Sequence, residues 1–187
     1  MKKYVIILGT SNPNSLNKHI ADEVEKSILV NGHEVRRINL YDLSFDPIFK
    51  RNNEKMEPCL IEAQSAISWA DELIFIYPLW WGFTPALLKG FIDRVFVPGF
   101  AYIVNYETDE TKRLLSDKSA FFISTAGDSS QNITKETGDA DFQIMRGALC
   151  NFTGMKYKGA YRMGEVFNSS KETKQKELQI INDLILK

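Results

Sequence analysis

Three short stretches hold the residue types from which chemistry could be built. The first, GTSNPNSLN at residues 9–17, sets hydroxyl and amide groups from Thr10, Ser11, Ser15 and Asn17 among free backbone N–H groups. Such a set can surround one terminal phosphate without cationic help. The loop lacks the GxGxxG that lets a backbone press against a pyrophosphate, and it lacks the GxxxxGK(S/T) whose lysine reaches a β/γ-phosphate. A nucleoside triphosphate or a Rossmann dinucleotide is therefore disfavoured. A plainer reading is also open, in which Asn14 or Ser15 does no more than cap a helix.

The second stretch, PLWWGFTP at residues 78–85, places Trp80, Trp81 and Phe83 on a short segment between two prolines. Aromatics there either lie as lids on the core or wall a planar ring, whose polar edge the loop's own N–H groups can reach. The third, TAGDSSQN at residues 125–132, is small and polar. Its Gly127 permits close approach of backbone to a ligand, or it belongs to an ordinary turn of Gly and Asp.

The elements between these stretches decide whether they meet. KYVIILG (3–9), EVRRINL (34–40), ELIFIYP (72–78) and SAFFIST (119–125) read as strands, and the first, third and fourth are nearly continuous apolar runs, as in a parallel sheet covered on both faces. Helical spacing links them: Leu16, Ile20, Val24 and Ile28; Leu60, Ala63, Ile67 and Ala70; Leu88, Phe91, Ile92 and Val95 behind Pro85; Phe142, Met145, Leu149 and Phe152. A fifth strand within 155–163 and a last helix from about Ser170 complete an α/β domain spanning 1–187, a doubly wound five-stranded parallel sheet with helices on both faces. In that fold the ligand crevice lies beyond the carboxyl ends of the strands, which is where all three stretches fall. Phosphate donors, aromatic walls and a close-approach glycine together describe a mononucleotide with a large ring, and flavin mononucleotide fits best. The segment NYETDETKRLLSD (105–117) reads as an exposed loop or a flap, and the charged runs 50–58 and 169–177 as solvated faces.

Composition narrows the partners. With 23 basic and 24 acidic residues and a net charge of −1, the chain has no basic field for nucleic acid or anionic lipid. The apolar run Tyr4–Leu8 is too short for a signal-peptide core or a membrane span, which makes a cytoplasmic protein the expectation. Cys59 and Cys150 lack the spacing of a zinc site or a disulfide framework and read as packing residues. His19 and His33 have no partner nearby in sequence and read as ordinary surface or packing histidines.

YPLWWGFTPALLKGFIDRVFVPGFAY (77–102) resembles the signature of the flavodoxin-like NAD(P)H:quinone oxidoreductases, or DT-diaphorases, through Pro78-Leu79, Trp81, Pro85-Ala86, Leu88-Lys89-Gly90, Arg94-Val95-Phe96 and Ala101-Tyr102. TSNPNSLN resembles the family's flavin-phosphate loop, and INLYDLSFDPIF (38–49) its segment after the second strand. The resemblance implies a sheet order of 2-1-3-4-5. It implies flavin phosphate and ribityl contacts at Thr10, Ser15, Leu16 and Asn17, and an isoalloxazine framed by Pro78, Leu79, Trp80, Trp81 and Gly82 and by Thr125, Ala126 and Gly127. Tyr102 matches a tyrosine that lines the quinone and nicotinamide pocket from the neighbouring subunit, with Phe83 beside it, so a homodimer with shared active sites is implied. The cofactor expected is FMN, with FAD as the alternative, and NAD(P)H as co-substrate reduces a quinone or other flat acceptor in a ping-pong cycle. The family's Tyr and His after the third loop are absent from GDSSQNITKETGD. No side chain stands out as catalytic. Two other roles belong to relatives of this signature and fold: a soluble regulatory subunit of a potassium efflux system, and a flavodoxin-type electron carrier, the latter at odds with the near-zero charge.

Overall fold

The computed structural model describes residues 1–49 and 55–187; of the charged run 50–58, residues 50–54 lie outside the described residues. Five strands, β1 (Lys3–Leu8), β2 (Glu34–Asn39), β3 (Glu72–Pro78), β6 (Ser119–Thr125) and β7 (Lys156–Met163), form one sheet in the order β2-β1-β3-β6-β7. Every neighbouring pair is parallel. Counting these strands alone, the order is 2-1-3-4-5, as the flavodoxin-like reading implies.

Side chains alternate across a strand, and each apolar run serves two cores. Val5, Ile7, Phe75, Tyr77 and Phe122 face α2 (Pro58–Trp69), α3 (Ala86–Val95) and the segment α5 (Ala140–Ile144), which continues into a π-helical turn at Met145–Asn151. Tyr4, Ile6, Leu8, Ile74 and Ile123 face α1 (Leu16–Val30) and α6 (Lys171–Leu186). Residues Tyr4–Leu8 are wholly buried, which only a strand covered on both faces allows. Ser15 is the cap of α1, its side chain accepting from the Lys18 amide at 3.2 Å. Pro85 stands just before α3 as its N-cap residue and not inside the first turn.

Two elements differ from the sequence reading. Residues 105–117 are not simply a loop: β4 (Tyr102–Asn105) and β5 (Glu110–Arg113) pair antiparallel, Tyr102 opposite Arg113 and Asn105 opposite Glu110. Glu110–Arg113 is exposed throughout, so no alternation of apolar residues announces it. The third polar stretch is a loop only to Ser129. Ser129 caps α4 (Ser130–Thr137) by accepting from the Asn132 amide at 3.2 Å, and Gly138 ends it in the left-handed conformation. No residue of α4 is buried, so its sequence carries no apolar stripe.

Candidate functional site

The strand ladder continues past the strand ends and draws the loop roots together. Gly9 donates to the Ile76 carbonyl at 2.7 Å, Leu79 to Thr125 at 2.8 Å, and Ala126 to Met163 at 2.9 Å. A buried bond from Asn17 Nδ2 to Thr125 Oγ1 at 2.9 Å ties the first helix to the third loop. The three predicted stretches therefore converge at one end of the sheet.

In the first loop the side chains organise the backbone. Thr10 Oγ1 accepts from the Asn12 amide at 3.2 Å, Asn12 Oδ1 from the Asn14 amide at 2.9 Å, and Ser15 Oγ from Lys18. Thr10 is buried, and it and Ser15 each keep a hydroxyl proton to donate. Ser11 is exposed, and Leu16 packs half-buried against the core. Asn17 is buried, and its Oδ1 is without a hydrogen-bond partner among the described residues. An unpartnered buried acceptor is costly, and beside a set of phosphate donors it suits a hydroxyl of the chain that a phosphate carries.

The second loop is a two-residue hairpin turn. Trp80 and Phe83 exchange N–H···O bonds of 2.9 Å each way, and between them Trp81 and Gly82 both take positive φ, 53° and 73°. This is the geometry of a type I′ turn, natural for the glycine and strained for a tryptophan. The aromatics are not core lids: Trp81 is fully exposed, and Trp80 and Phe83 are half exposed. Pro78 and Leu79 are half-buried beneath the turn.

The amides of the third loop are not equivalent. The Ala126 N–H is engaged by Met163, so Ala126 has no amide to offer a ring, whereas those of Trp81, Gly82 and Gly127 take part in none of these bonds. A fourth segment, not singled out in the sequence, follows β7: Glu165 donates to Asp128 at 2.9 Å and Val166 to Ala126 at 3.1 Å. This lays Phe167 on Gly127, where a Cβ would sit 3.1 Å from the ring, with Phe167 itself 86% exposed. Its place just past the end of the fifth sheet strand was the available signal. A planar ring bearing a phosphate on a hydroxylated chain fits these groups.

Tyr102, at the start of β4, stands edge-on to Phe152 with ring centroids 4.7 Å apart. The two border an apolar groove of about 530 Å³ that also takes in Phe83, Ile92, Phe96 and Ile144. Phe152 read in the sequence as a core position, yet it is 43% exposed. A second, polar cleft of about 700 Å³ runs along β7 past Gln131, Arg146, Tyr161 and Glu177. Cys150 is buried and its thiol is pushed up to about 12, consistent with a packing role. Among the described residues, no helix is long and apolar enough to cross a membrane.

Residues 2–184 match the family described as a flavodoxin-like fold. The chain is 28% identical over 168 residues to NAD(P)H dehydrogenase (quinone) 1 of Cavia porcellus, covering 78% of this chain and 60% of that one. It spans about three fifths of the length of the first curated relatives it matches. Smu.1420 of Streptococcus mutans UA159 superposes with a TM-score of 0.83 at 28% identity, with 97% of each chain covered. An FMN-dependent NADH-azoreductase of Bacillus anthracis, solved in complex with FMN, gives a TM-score of 0.73 at 19% identity over 98% of this chain and 97% of that one, a likeness of fold.

Proposed function

Because the chain belongs to the flavodoxin-like fold family, we propose that it is an FMN-dependent NAD(P)H oxidoreductase of the cytoplasm that reduces quinones or similar flat acceptors. One observation carries the reading: Trp81 is strained and fully exposed on a loop whose Trp81 and Gly82 amides have no hydrogen-bond partner among the described residues, at the sheet end where phosphate donors gather. Strain in an exposed bulky residue costs about 1–3 kcal/mol and persists where function asks for it. The names of the relatives support the redox class, and the FMN bound in the azoreductase of like fold supports the choice of cofactor.

A bound flavin would supply the hydride and electron chemistry, and the chain's own groups hold and orient. Thr10 and Ser15 hydroxyls and the N-terminal amides of α1 bind the phosphate, where the helix dipole adds to the attraction. Asn17 Oδ1 takes a hydroxyl of the ribityl chain, which satisfies the buried acceptor. The Trp81, Gly82 and Gly127 amides would donate to the polar edge of the ring and favour negative charge there. The Trp81 ring excludes water from one side. Nicotinamide and acceptor occupy the same opening in turn, a ping-pong order. The half-buried Tyr102, the exposed Phe152 and the apolar groove they border suit a second copy of the chain, so that Tyr102 of one copy lines the opening of the other.

The test is turnover. Protein reconstituted with FMN, given NADH or NADPH and a naphthoquinone, oxidises the nicotinamide in proportion to quinone, with parallel-line double-reciprocal kinetics. Binding of FMN with no turnover of quinone, nitro or azo acceptors sinks the enzymatic reading and leaves a carrier or a regulatory flavoprotein.

A further inference from the structure

Arg162, near the end of β7, has a guanidinium that is 1% exposed and belongs to none of the predicted loops. It bonds Asp139 at 2.7 Å and Asp141 at 2.5 Å and stacks on the Phe142 ring at 4.6 Å. All three partners fall in residues 139–142, so one side chain of the edge strand grips the whole α4–α5 turn. That turn is sharp: Gly138 and Asp139 both sit at positive φ, 61° and 58°. Asp139 also accepts from Thr134 Oγ1 at 2.8 Å, and the Gly138 carbonyl accepts from Gln143 at 2.6 Å.

The grip reaches the second loop from two sides. Thr137, directly before the turn, bonds the Ile133 carbonyl through its hydroxyl, and its methyl lies 4.0 Å from where a Cβ on Gly82 would stand. At the other side Tyr77, which leads into Pro78 and Leu79, has a wholly buried hydroxyl within electrostatic reach of Asp141 and Arg162. Arg162 Nε, Asp141 Oδ2 and Tyr77 Oη are buried without hydrogen-bond partners among the described residues. A buried ion pair with loose ends is poor stabilisation compared with an apolar filling of the same space, and its use lies in fixing one geometry. Burial and the nearby Asp139 push the Asp141 carboxyl up against the pull of Arg162, and the hydrogen bonds from Arg162 and Thr134 hold Asp139 down despite its partial burial.

We propose that Arg162 is a positioning residue: it clamps the α4–α5 turn to β7 and so fixes Thr137 against Gly82 and the Trp81 tip. The inference rests on the flavin reading for its consequence in binding, though the clamp itself is a property of the flavin-free chain. A misplacement of about 1 Å from a mutation remote from the reacting groups can cost on the order of 10²-fold in rate.

The experiment compares wild type with Arg162→Lys and with the milder Asp139→Asn. Hydrogen exchange of the peptide covering 78–85 in flavin-free protein is read beside the dissociation constant and visible spectrum of bound FMN. Both variants are expected to exchange the hydrogen-bonded Trp80 and Phe83 amides of the turn about tenfold faster while β1 and β3 stay protected, and to weaken FMN by about tenfold with a shifted flavin band. A folded variant with a lowered melting temperature but wild-type tip exchange and FMN affinity overturns the proposal and leaves Arg162 a structural ion pair. If Arg162→Lys does not fold, Asp139→Asn decides alone. Failure of wild type to bind FMN removes the flavin reading, while the exchange data still judge the clamp.

Discussion

At the scale of single residues the account turns on Trp81, whose ring touches solvent on all sides while its backbone holds φ at 53°. The two liabilities act separately and can be separated by mutation. In Trp81→Gly the left-handed strain of about 1–2 kcal/mol is relieved, against roughly 0.5–1 kcal/mol of added chain entropy in the unfolded state. Stability is therefore expected to change by no more than about 1 kcal/mol, in the stabilising direction if at all, while FMN affinity falls. Chemical denaturation and FMN titration of the same variant check this; a clear loss of stability would mean that the ring packs in the native state. The sequence made the aromatic cluster and its place after β3 legible, because residue type and strand order suffice for that. It could not tell which amides remain free. That Ala126 is engaged and Gly127 is not depends on the register between β6 and β7, which no local pattern encodes.

Among elements, legibility followed burial. The strands β1, β3 and β6 are readable as apolar runs because helices cover both faces, and α1 and α3 because each buries a stripe. The β4–β5 hairpin and α4 escaped notice because Glu110–Arg113 and Ser130–Thr137 bury nothing and are held by turns and caps. Ion pairs that join elements make a further prediction here. Asp22 on α1 meets Arg37 on β2, Glu57 before α2 meets Arg94 on α3, and Asp139 meets Arg162 on β7. Desolvation raises each carboxyl, but it is outweighed: at Asp22 by hydrogen bonds from Lys18 and Arg37, at Glu57 by the Glu57 and Asp46 amides and then Arg94, and at Asp139 by hydrogen bonds from Arg162 and Thr134, so all three are held below the ordinary range. A depressed folded-state pKa stabilises above the ordinary carboxylate pKa and loses that contribution as pH falls. Asp141, pushed up, has the opposite sign and offsets part of the loss. Urea midpoints are therefore expected to hold between pH 7 and 5 and to fall below about pH 4. A midpoint unchanged at pH 3 contradicts the clamping role of these pairs.

For the molecule as a whole, a net charge of −1 gives no long-range field, so recognition must be local, through stacking, amides and shape. Trp80, Trp81 and Phe83 stand exposed on the second loop, and Phe83 also lines the groove that Tyr102 and Phe152 border. The fold was legible from strand order and a signature of some 25 residues, and two residues lining the groove, Tyr102 and Phe83, were legible through the resemblance, whereas its walls from α3 and the π-helical turn carried no signal of their own. The central claim, that the three loop ends form a flavin site, is tested most directly by equilibrium titration of the flavin-free protein with FMN, following flavin fluorescence and the visible spectrum. Saturable binding of one FMN per chain with quenched fluorescence is expected, weakened in Asn17→Ala and Trp81→Gly. A protein that stays colourless and leaves FMN fluorescence unchanged at concentrations far above those of a specific site contradicts it.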